Sequence, residues 1–248
     1  MKLKNLIYTC CAAVTVACLA ISCDKQVGKE VAFENTSFAD KSFVQVYNGI
    51  INATRNYVYV DGNAVTGAAL AFNSTFPSTP SNFNVGEGFR AFLVRDTLLS
   101  STQAQLSFAE NLQAGKYYTI FLYDSLNNPK KKIVENNIVF PTDTTARLRF
   151  ANFVYTTTAV PNVDIFSVKR NSNVFTNVNI TEVTDYIPYA SALNDTLRVR
   201  STGTTTDLAV LNGFNPVQKR SYTLVFRGRY ATTGTTGIAR LLTAFSSN

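Results

Sequence analysis

The chain has 248 residues, of which 46% are hydrophobic and 16% are charged, and its formal net charge is +7. This length and apolar content allow one large domain or two of ordinary size, and they exclude a largely disordered chain. The sequence contains neither His nor Trp. The missing His excludes Ser-His-Asp and Cys-His nucleophiles, an imidazole general base and histidine-ligated zinc or copper sites.

The N-terminal residues have the order of an export signal. Two lysines precede an apolar stretch over residues 6–21, and the small residue Ser22 follows it. This stretch is short for a stable membrane span, and the basic, apolar and small order is typical of a cleaved signal. We predict a lipoprotein signal peptide over residues 1–22 and a polar tether over residues 23–40.

Cys23 is the predicted lipid attachment site. The sequence Ala-Ile-Ser before it resembles the lipobox of bacterial lipoproteins, in which a small residue precedes a cysteine that becomes the diacylated first residue. Cys18 is a competing site, but cleavage there would leave the apolar residues 19–21 exposed. All four cysteines lie between residues 10 and 23, so the mature chain would keep one and form no disulfide within itself. The alternative is an ordinary secretory signal with an incidental cysteine.

Beyond the tether, the chain contains two copies of one pattern. Residues 104–124 and 206–228 each contain an alternating strand pattern, a corner, a turn and a strand that begins Tyr-Thr. The openings SFVQVYN (42–48) and ARLRFAN (146–152) also correspond. The extra residues of the second copy fall in the predicted turn, where insertions are tolerated. This placement favours true repetition.

Each copy has the pattern of an antiparallel sandwich. We count about seven short strands in each, with turn signals about every 8–12 residues, and Asp61-Gly62 predicts a hairpin turn. No stretch sustains an amphipathic helical period. The sequence therefore predicts an all-β chain with two tandem antiparallel immunoglobulin-like β-sandwich domains, residues 41–143 and 144–248. Their boundary falls in the turn-forming segment PTDTT, residues 141–145.

The second copy resembles a known bacterial module. Its segments VDIF, NVNITEVTDYIPYAS, LRVRSTGT and SYTLVFRG are similar to those of the domain of unknown function 4397, which occurs in exported proteins and lipoproteins, notably of the Bacteroidetes. The resemblance covers about residues 146–245, and the first copy is a weaker echo. It implies a sandwich fold and a place in the cell envelope, at the outer membrane, and it brings no established active site.

Three further motifs predict no chemistry. Residues 86–91 fit the dinucleotide motif G-x-G-x-x-A, but a strand pattern follows them instead of a helix, so we interpret them as a turn. The 16 acidic residues are dispersed, and we predict no metal, no cofactor and no catalytic residue. Residues 130–132 are three lysines in a predicted turn, which we interpret as a solvated loop, and we expect no nucleic-acid partner.

Four hydroxyl residues that follow Asp are candidate modification sites. Thr97, Ser125, Thr144 and Thr196 lie in a context that is similar to the O-glycan acceptor sequence of exported Bacteroidetes proteins. The alternative is that these Asp-Thr and Asp-Ser pairs cap turns by bonding their own backbone, and both can hold at once.

Tyrosines near predicted loops are the remaining lead. We expect some of them outside the core, with Tyr155, Tyr186, Tyr189 and Tyr230 as examples, where tyrosine can stack on sugars or anchor a protein interface. Such residues more often fill sandwich edges or form hydrogen bonds at corners, so we name none of them as a site. The sequence as a whole predicts a non-enzymatic, lipid-anchored envelope protein that acts as a binding, adhesion or scaffold module, with an unknown envelope protein or glycan as partner. The alternative is a glycan-binding accessory lipoprotein of a polysaccharide-uptake system. A hydrolase would need a cleft with two carboxylates.

Overall fold

Every regular element that the structure describes is a β-strand. The computed structural model describes residues 37–137, 141–235 and 237–247. The predicted signal peptide, Cys23 and most of the tether lie outside these residues. None of the described residues form a helix that is long and apolar enough to cross a membrane.

The first half of the described chain forms two sheets. Its strands are β1 (Lys41–Asn48), β2 (Tyr57–Val60), β3 (Asn63–Ala64), β4 (Ser74–Phe76), β5 (Phe83–Gly86), β6 (Gly88–Arg95), β7 (Leu106–Leu112), β8 (Tyr117–Ser125) and β9 (Asn128–Glu135). One sheet has the order β4-β1-β8-β9, with β5 also paired to β1, and the other has the order β3-β2-β6-β7.

The second half repeats this arrangement. Its strands are β10 (Ala146–Asn152), β11 (Val163–Ser167), β12 (Ser172–Val178), β13 (Ile187–Tyr189), β14 (Asp195–Ser201), β15 (Asp207–Phe214), β16 (Ser221–Arg227) and β17 (Leu241–Ser246). The sheets have the orders β13-β10-β16-β17 and β12-β11-β14-β15. The prediction of two tandem sandwiches is therefore confirmed. The structure has more strands than predicted because short strands lie in the connections, namely β4 and β5 in the first half and β13 in the second.

The strand order differs from that of an immunoglobulin constant domain. There the first strand lies in one sheet with the second, whereas here β1 runs parallel to β8, and β10 runs parallel to β16. Each half therefore contains one parallel pair in an otherwise antiparallel sandwich. The first strand of each half, β1 or β10, lies in one sheet of its sandwich, and the next strand, β2 or β11, lies in the other sheet. The chain therefore crosses from one sheet to the other directly after the first strand.

Two of the turn predictions hold in the structure, and a third is wrong. Asp61 and Gly62 connect β2 to β3 with φ angles of 49° and 81°, which is the two-residue hairpin geometry with positive φ at both positions. The glycine motif at residues 86–91 lies where β5 ends and β6 begins, and a strand follows it. The lysines at 130–132 belong to β9 and not to a turn. A charged edge strand of this kind hinders pairing with other chains.

Each sandwich has its own apolar core. In the first half, Val44 and Val46 of β1 pack with Val58 and Phe92 of the facing sheet. In the second half, Leu148 of β10 has the position that Val44 has in the first, and it packs in the second core. Since side chains alternate across a strand, the residues between these core positions point to the other face of the same sheet.

That other face is buried as well, because the two sandwiches pack back to back. Tyr47 and Phe121 from the first half meet Ala151, Phe153 and Val225 from the second. The rings of Phe121 and Phe153 are stacked with centroids 4.8 Å apart. Fully burying one large apolar side chain contributes about 1.5–3 kcal/mol. We call this buried layer the seam; it makes the described chain a stack of four sheets.

The residues from Phe38 onwards form one compact unit. Every pair of hydrogen-bonded strands nevertheless lies within one half of the chain. The division of the chain into two domains, residues 41–143 and 144–248, stays a prediction.

Candidate functional site

An aromatic cleft of about 400 Å³ opens at one end of the seam. We call it the seam cleft, and residues from both halves line it. They are Tyr123, Asp124, Lys130, Phe153, Val154, Tyr155, Thr156, Ile180 and Thr181. Pockets that bind small molecules in proteins typically enclose roughly 300–1,000 Å³ and combine apolar walls with a few convergent polar groups. The seam cleft meets both criteria.

Strand ends position the polar residues of the cleft. Asp124 lies near the end of β8, where its backbone oxygen accepts a hydrogen bond from the Ile51 N–H at 2.9 Å. Thr181 follows β12, and its N–H donates to the Asn152 oxygen at 2.6 Å. Both residues have left-handed backbones, with φ of 79° at Asp124 and 63° at Thr181. This conformation is uncommon for residues other than glycine, and a β-branched residue such as Thr is an outlier there.

The repeat shows which residues these two positions would ordinarily hold. Gly228 occupies the position of Asp124 in the second half, since its oxygen accepts the Tyr155 N–H at 2.7 Å in the same way. Asn73 occupies the position of Thr181 in the first half, and its N–H donates to Asn48 at 2.7 Å. Both also have positive φ. Gly and Asn tolerate this backbone, so the cleft has larger or stiffer side chains at its two left-handed positions.

An ion pair lines the cleft. Lys130 Nζ lies 2.7 Å from Asp124 Oδ2, and this hydrogen bond raises the pKa of Lys130 above its usual value. Burial raises the pKa of the Tyr123 phenol above its ordinary value of 10.0. At neutral pH the cleft therefore presents an ammonium, a carboxylate and a neutral phenol that can both donate and accept.

The aromatic rings of the cleft are held by neighbours. The Tyr123 ring lies 5.0 Å from the Phe153 ring, measured between centroids. The Arg229 guanidinium lies 5.5 Å from the centroid of Tyr155. Rings that are fixed in this way lose little conformational freedom when a ligand packs on them.

Arg149 occupies the middle of the seam without an acidic partner in the described part of the chain. It is 1% exposed. Nε donates to Thr223 at 2.9 Å in its own half, and the two terminal nitrogens donate to Asn136 at 2.8 Å and Thr119 at 3.0 Å in the other half. The guanidinium also lies 4.6 Å from the Tyr186 ring centroid. Burial lowers the pKa of Arg149. Its contacts tie the two sandwiches together.

The two buried carboxylates of the second half have structural partners. Asp164 accepts from the side chains of Asn173 and Thr202 and from the backbone of Asn177. Asp195 is fully buried. Burial alone would raise the pKa of Asp195, but hydrogen bonds, of which those from Ser167 and Tyr189 are the largest, outweigh it and lower the pKa. An acid held in its ionised form by so many donors is suited to fixing loops.

The predicted acceptor residues are scattered over the surface and do not form one site. Thr97 and Thr144 are exposed, whereas Ser125 and Thr196 are half-buried. The Asp of each pair accepts a hydrogen bond from a backbone N–H one or two residues further on. The turn-capping interpretation is thus confirmed at Asp96 and Asp143, whose donors lie two residues further on. Asp124 and Asp195 bond the next residue within a strand. Glycosylation at the four positions stays a prediction.

The tyrosines near predicted loops have different surroundings. Tyr155 lines the seam cleft, Tyr186 covers Arg149, and Tyr230 lies beside Arg240. Tyr189 is buried, with 1% exposure, and donates to Asp195. Its expected place outside the core is wrong, because β13 turns this ring inward against Phe214.

Sequence reasoning missed Tyr123, Asp124 and Thr181 as members of one site. Tyr123 and Asp124 end a strand that reads as ordinary core, and Thr181 lies in a connection of the other half. The available signal was the repeat, which aligns Asp124 with a glycine and Thr181 with an asparagine. A side chain that replaces glycine or asparagine at a turn indicates a local role.

No curated protein matches this chain in a sequence comparison. Two solved structures, both described as streptococcal, resemble it weakly. One concerns alpha-glucan binding by a virulence factor, with 12% identity, a TM-score of 0.24, and coverage of 74% of this chain and 93% of that one. The other concerns alpha-glucan recognition by family 41 carbohydrate-binding modules, with 8% identity, a TM-score of 0.25, and coverage of 81% and 96%. Scores this low carry no argument about this chain.

A family comparison gives a definite result. Residues 42–166 match the family described as domain of unknown function DUF4397. The match covers about half of the chain, and it lies over the first sandwich and the first two strands of the second. The resemblance seen in the sequence was placed mainly over the second copy, so the matched region starts earlier than expected. The chain belongs to the DUF4397 family.

Proposed function

We propose that this chain is a non-enzymatic, lipid-anchored protein of the cell envelope, at the outer membrane, that acts as a binding, adhesion or scaffold module. The observation that carries the proposal is the seam. Aromatic packing and the hydrogen bonds of Arg149 join the two sandwiches over buried faces. These contacts favour one rigid block over two domains that move independently. A rigid block can present a surface to a partner with little loss of conformational freedom.

The membrane anchor rests on the sequence. The basic, apolar and small order of residues 1–22 and the position of Cys23 support lipidation, and a flexible tether would let the sandwiches stand off the bilayer. A Bacteroidetes-type lipoprotein is our proposal for its class.

Catalysis is disfavoured by the chemistry of the buried acids. Asp164 and Asp195 each accept several hydrogen bonds from neutral donors, and these contacts close loops of the second sandwich. The sequence contains no His, which removes the commonest general base.

A second candidate is a glycan-binding accessory lipoprotein of a polysaccharide-uptake system. The seam cleft favours it, because Tyr123 and Tyr155 place aromatic rings beside the Asp124–Lys130 pair. Aromatic faces with adjacent hydrogen-bonding groups suit a ligand that has both apolar and hydroxyl surfaces.

Crosslinking in intact envelopes, followed by purification of the tagged protein, tests the binding role. We expect one or a few envelope components to be recovered reproducibly with the native protein. Purification of the protein alone from crosslinked cells, at several crosslinker lengths, together with no binding of the protein to any glycan, would contradict the proposal.

Fractionation tests the anchor separately. Cys23→Ser should abolish labelling by a radioactive or clickable fatty acid and release the protein from the membrane fraction, and Cys18→Ser is the matched control that should do neither. Labelling that survives Cys23→Ser would contradict anchoring at this residue.

Mass spectrometry of the mature protein should also show glycan on Thr97 or Thr144, the two exposed acceptor residues.

A further inference from the structure

We infer that the seam cleft binds a ring of a neutral saccharide, an inference that rests on the binding role proposed above and names its ligand. The cleft has a volume of about 400 Å³ and receives residues from both sandwiches. A site of this size takes one or a few rings of a chain, while the rest of the glycan stays in solvent.

The two tyrosines supply the apolar contacts. A pyranose ring has faces made of C–H groups, which pack on aromatic rings. Tyr123 lies against Phe153, and Tyr155 lies beside Arg229, so both rings are positioned before a ligand arrives. Because the chain contains no Trp, Tyr and Phe are the aromatic platforms that it has.

The polar groups match hydroxyls better than they match a charged ligand. Asp124 accepts hydrogen bonds and Lys130 donates them, and the two neutralise each other at 2.7 Å. An anionic sugar would face the Asp124 carboxylate, and a cationic ligand would face the Lys130 ammonium. A sugar hydroxyl both donates and accepts, so it can bond to either group.

The backbone shows that the Thr181 side chain is retained against local preference. Asp124 and Thr181 hold left-handed conformations at the positions where the other half has Gly228 and Asn73. Strained residues of this kind concentrate at functional sites, because the surroundings must hold them in place. Asp124 and Thr181 line one cleft although they come from different sandwiches.

The equivalent positions at the other end of the seam have different side chains. Arg227, which takes the place of Tyr123 in the repeat, is 8% exposed and lies 5.2 Å from the Phe72 ring centroid. Gly228 there offers no side chain. A cleft of about 380 Å³ lies beside Asn73 as well, with Tyr47 in its lining, but no charged residue of the described chain lines it. The ion pair beside aromatic rings therefore distinguishes the seam cleft.

The test uses the full-length protein extracted in mild detergent. It is screened on an array of neutral and acidic oligosaccharides, and the best neutral oligosaccharide is then titrated by calorimetry. We expect binding of neutral oligosaccharides in the micromolar to millimolar range. Tyr155→Ala and Asp124→Gly should each weaken binding by about tenfold or more, which is a loss of about 1.4 kcal/mol or more.

Two controls separate a lost contact from a lost fold. Tyr59→Ala removes a half-buried tyrosine that lies beside Arg95 on the outer sheet of the first sandwich, so it should change affinity by less than about twofold. Thermal melting of Asp124→Gly should stay close to that of the native protein, because glycine suits the left-handed backbone.

Several outcomes would overturn the inference. They are no saccharide bound by the native protein, binding of acidic sugars alone, and native affinity in both cleft variants. If crosslinking recovers an envelope protein while the array stays empty, the saccharide inference fails and the broader binding role stands. If the array gives binding and crosslinking recovers no protein, the partner is a glycan.

Discussion

The two ends of the seam are built from equivalent positions of one repeat, but their side chains have diverged. At one end Tyr123, Asp124 and Thr181 line an aromatic cleft. At the other end the corresponding residues are Arg227, Gly228 and Asn73, and Arg227 is packed over Phe72. The backbone hydrogen bonds are the same at both ends. The repeat therefore preserves the scaffold, and the side chains at its left-handed positions decide what each end can do.

Exchanging the residues at the equivalent positions 124 and 228 should give the largest effect on the unfolding free energy. A Cβ at Gly228 would lie 2.0 Å from the Ala239 backbone oxygen, and φ there is 91°. Gly228→Asp should therefore cost more than about 4 kcal/mol of unfolding free energy or prevent folding. Asp124→Gly should change it by less than about 1 kcal/mol. Urea denaturation of both variants checks this, and similar losses in the two would show that the ends are not distinguished in this way.

Substitutions at the centre of the seam should have the next largest effect on the unfolding free energy. Arg149→Ala removes three hydrogen bonds and leaves a cavity, so we expect a loss of about 2–4 kcal/mol. Gln45 occupies the same place in the first half and makes one long bond of 3.4 Å to Ser81. Gln45→Ala should cost about 1 kcal/mol or less. Arg149→Met fills the volume without the charge and should fall between the two. A loss below about 1 kcal/mol in Arg149→Ala would contradict the role of Arg149 in joining the sandwiches.

The loop-fixing acids give a smaller effect that depends on pH. Asp195 Oδ1 accepts the Lys169 N–H at 2.9 Å, and Asp61 accepts the Ala91 N–H at 2.9 Å in the other half. The pKa of Asp195 is lowered in the fold, so its stabilisation is present above the unfolded value of 3.8 and disappears as pH falls through the lower folded value.

Asp195→Asn should therefore cost about 1–3 kcal/mol at pH 7, and the difference from the native protein should shrink below about pH 4. Asp61→Asn is the control; Asp61 is exposed, and we expect the smaller effect there. Denaturation curves at a series of pH values measure both. A difference for Asp195→Asn that grows in acid would have the wrong sign.

The smallest expected change is a gain in the unfolding free energy. Thr181→Asn places a residue that tolerates the left-handed backbone at φ 63° and should raise the unfolding free energy by about 0.5–1 kcal/mol. The reverse exchange, Asn73→Thr, should lower it by a similar amount. Thermal melting measures both. Equal melting temperatures for all three proteins would show that Thr181 is not strained.

Much of the fold could be predicted because local patterns carry it. The alternating apolar residues in both copies became facing sheets, and the corresponding strands β8 and β16 each begin one residue before the Tyr-Thr pair. Asp61-Gly62 became a hairpin turn because both residues accept positive φ. The Asp residues before Thr97 and Thr144 bond the backbone two residues further on, as short polar side chains do at turns.

The seam was not predicted, although a signal for it was present. Strands β8 and β16 contain the nearly continuous apolar runs YTIFLY (118–123) and YTLVF (222–226), and such runs are typical of strands that are covered on both faces. Arg149 argued against this reading, since an arginine in a strand is ordinarily exposed. Its burial depends on Thr119 and Asn136, which lie in the other half of the chain.

The sequence by itself determined the strands, their turns, the duplication and the family, because these follow from side-chain alternation and backbone preferences over a few residues. Only the tertiary structure decided that the two sandwiches share a buried face, that Tyr189 turns inward, and that Asp124 and Thr181 meet in one cleft. These contacts join residues that are distant along the chain, and their free energy comes from packing and desolvation, which no short window of sequence records.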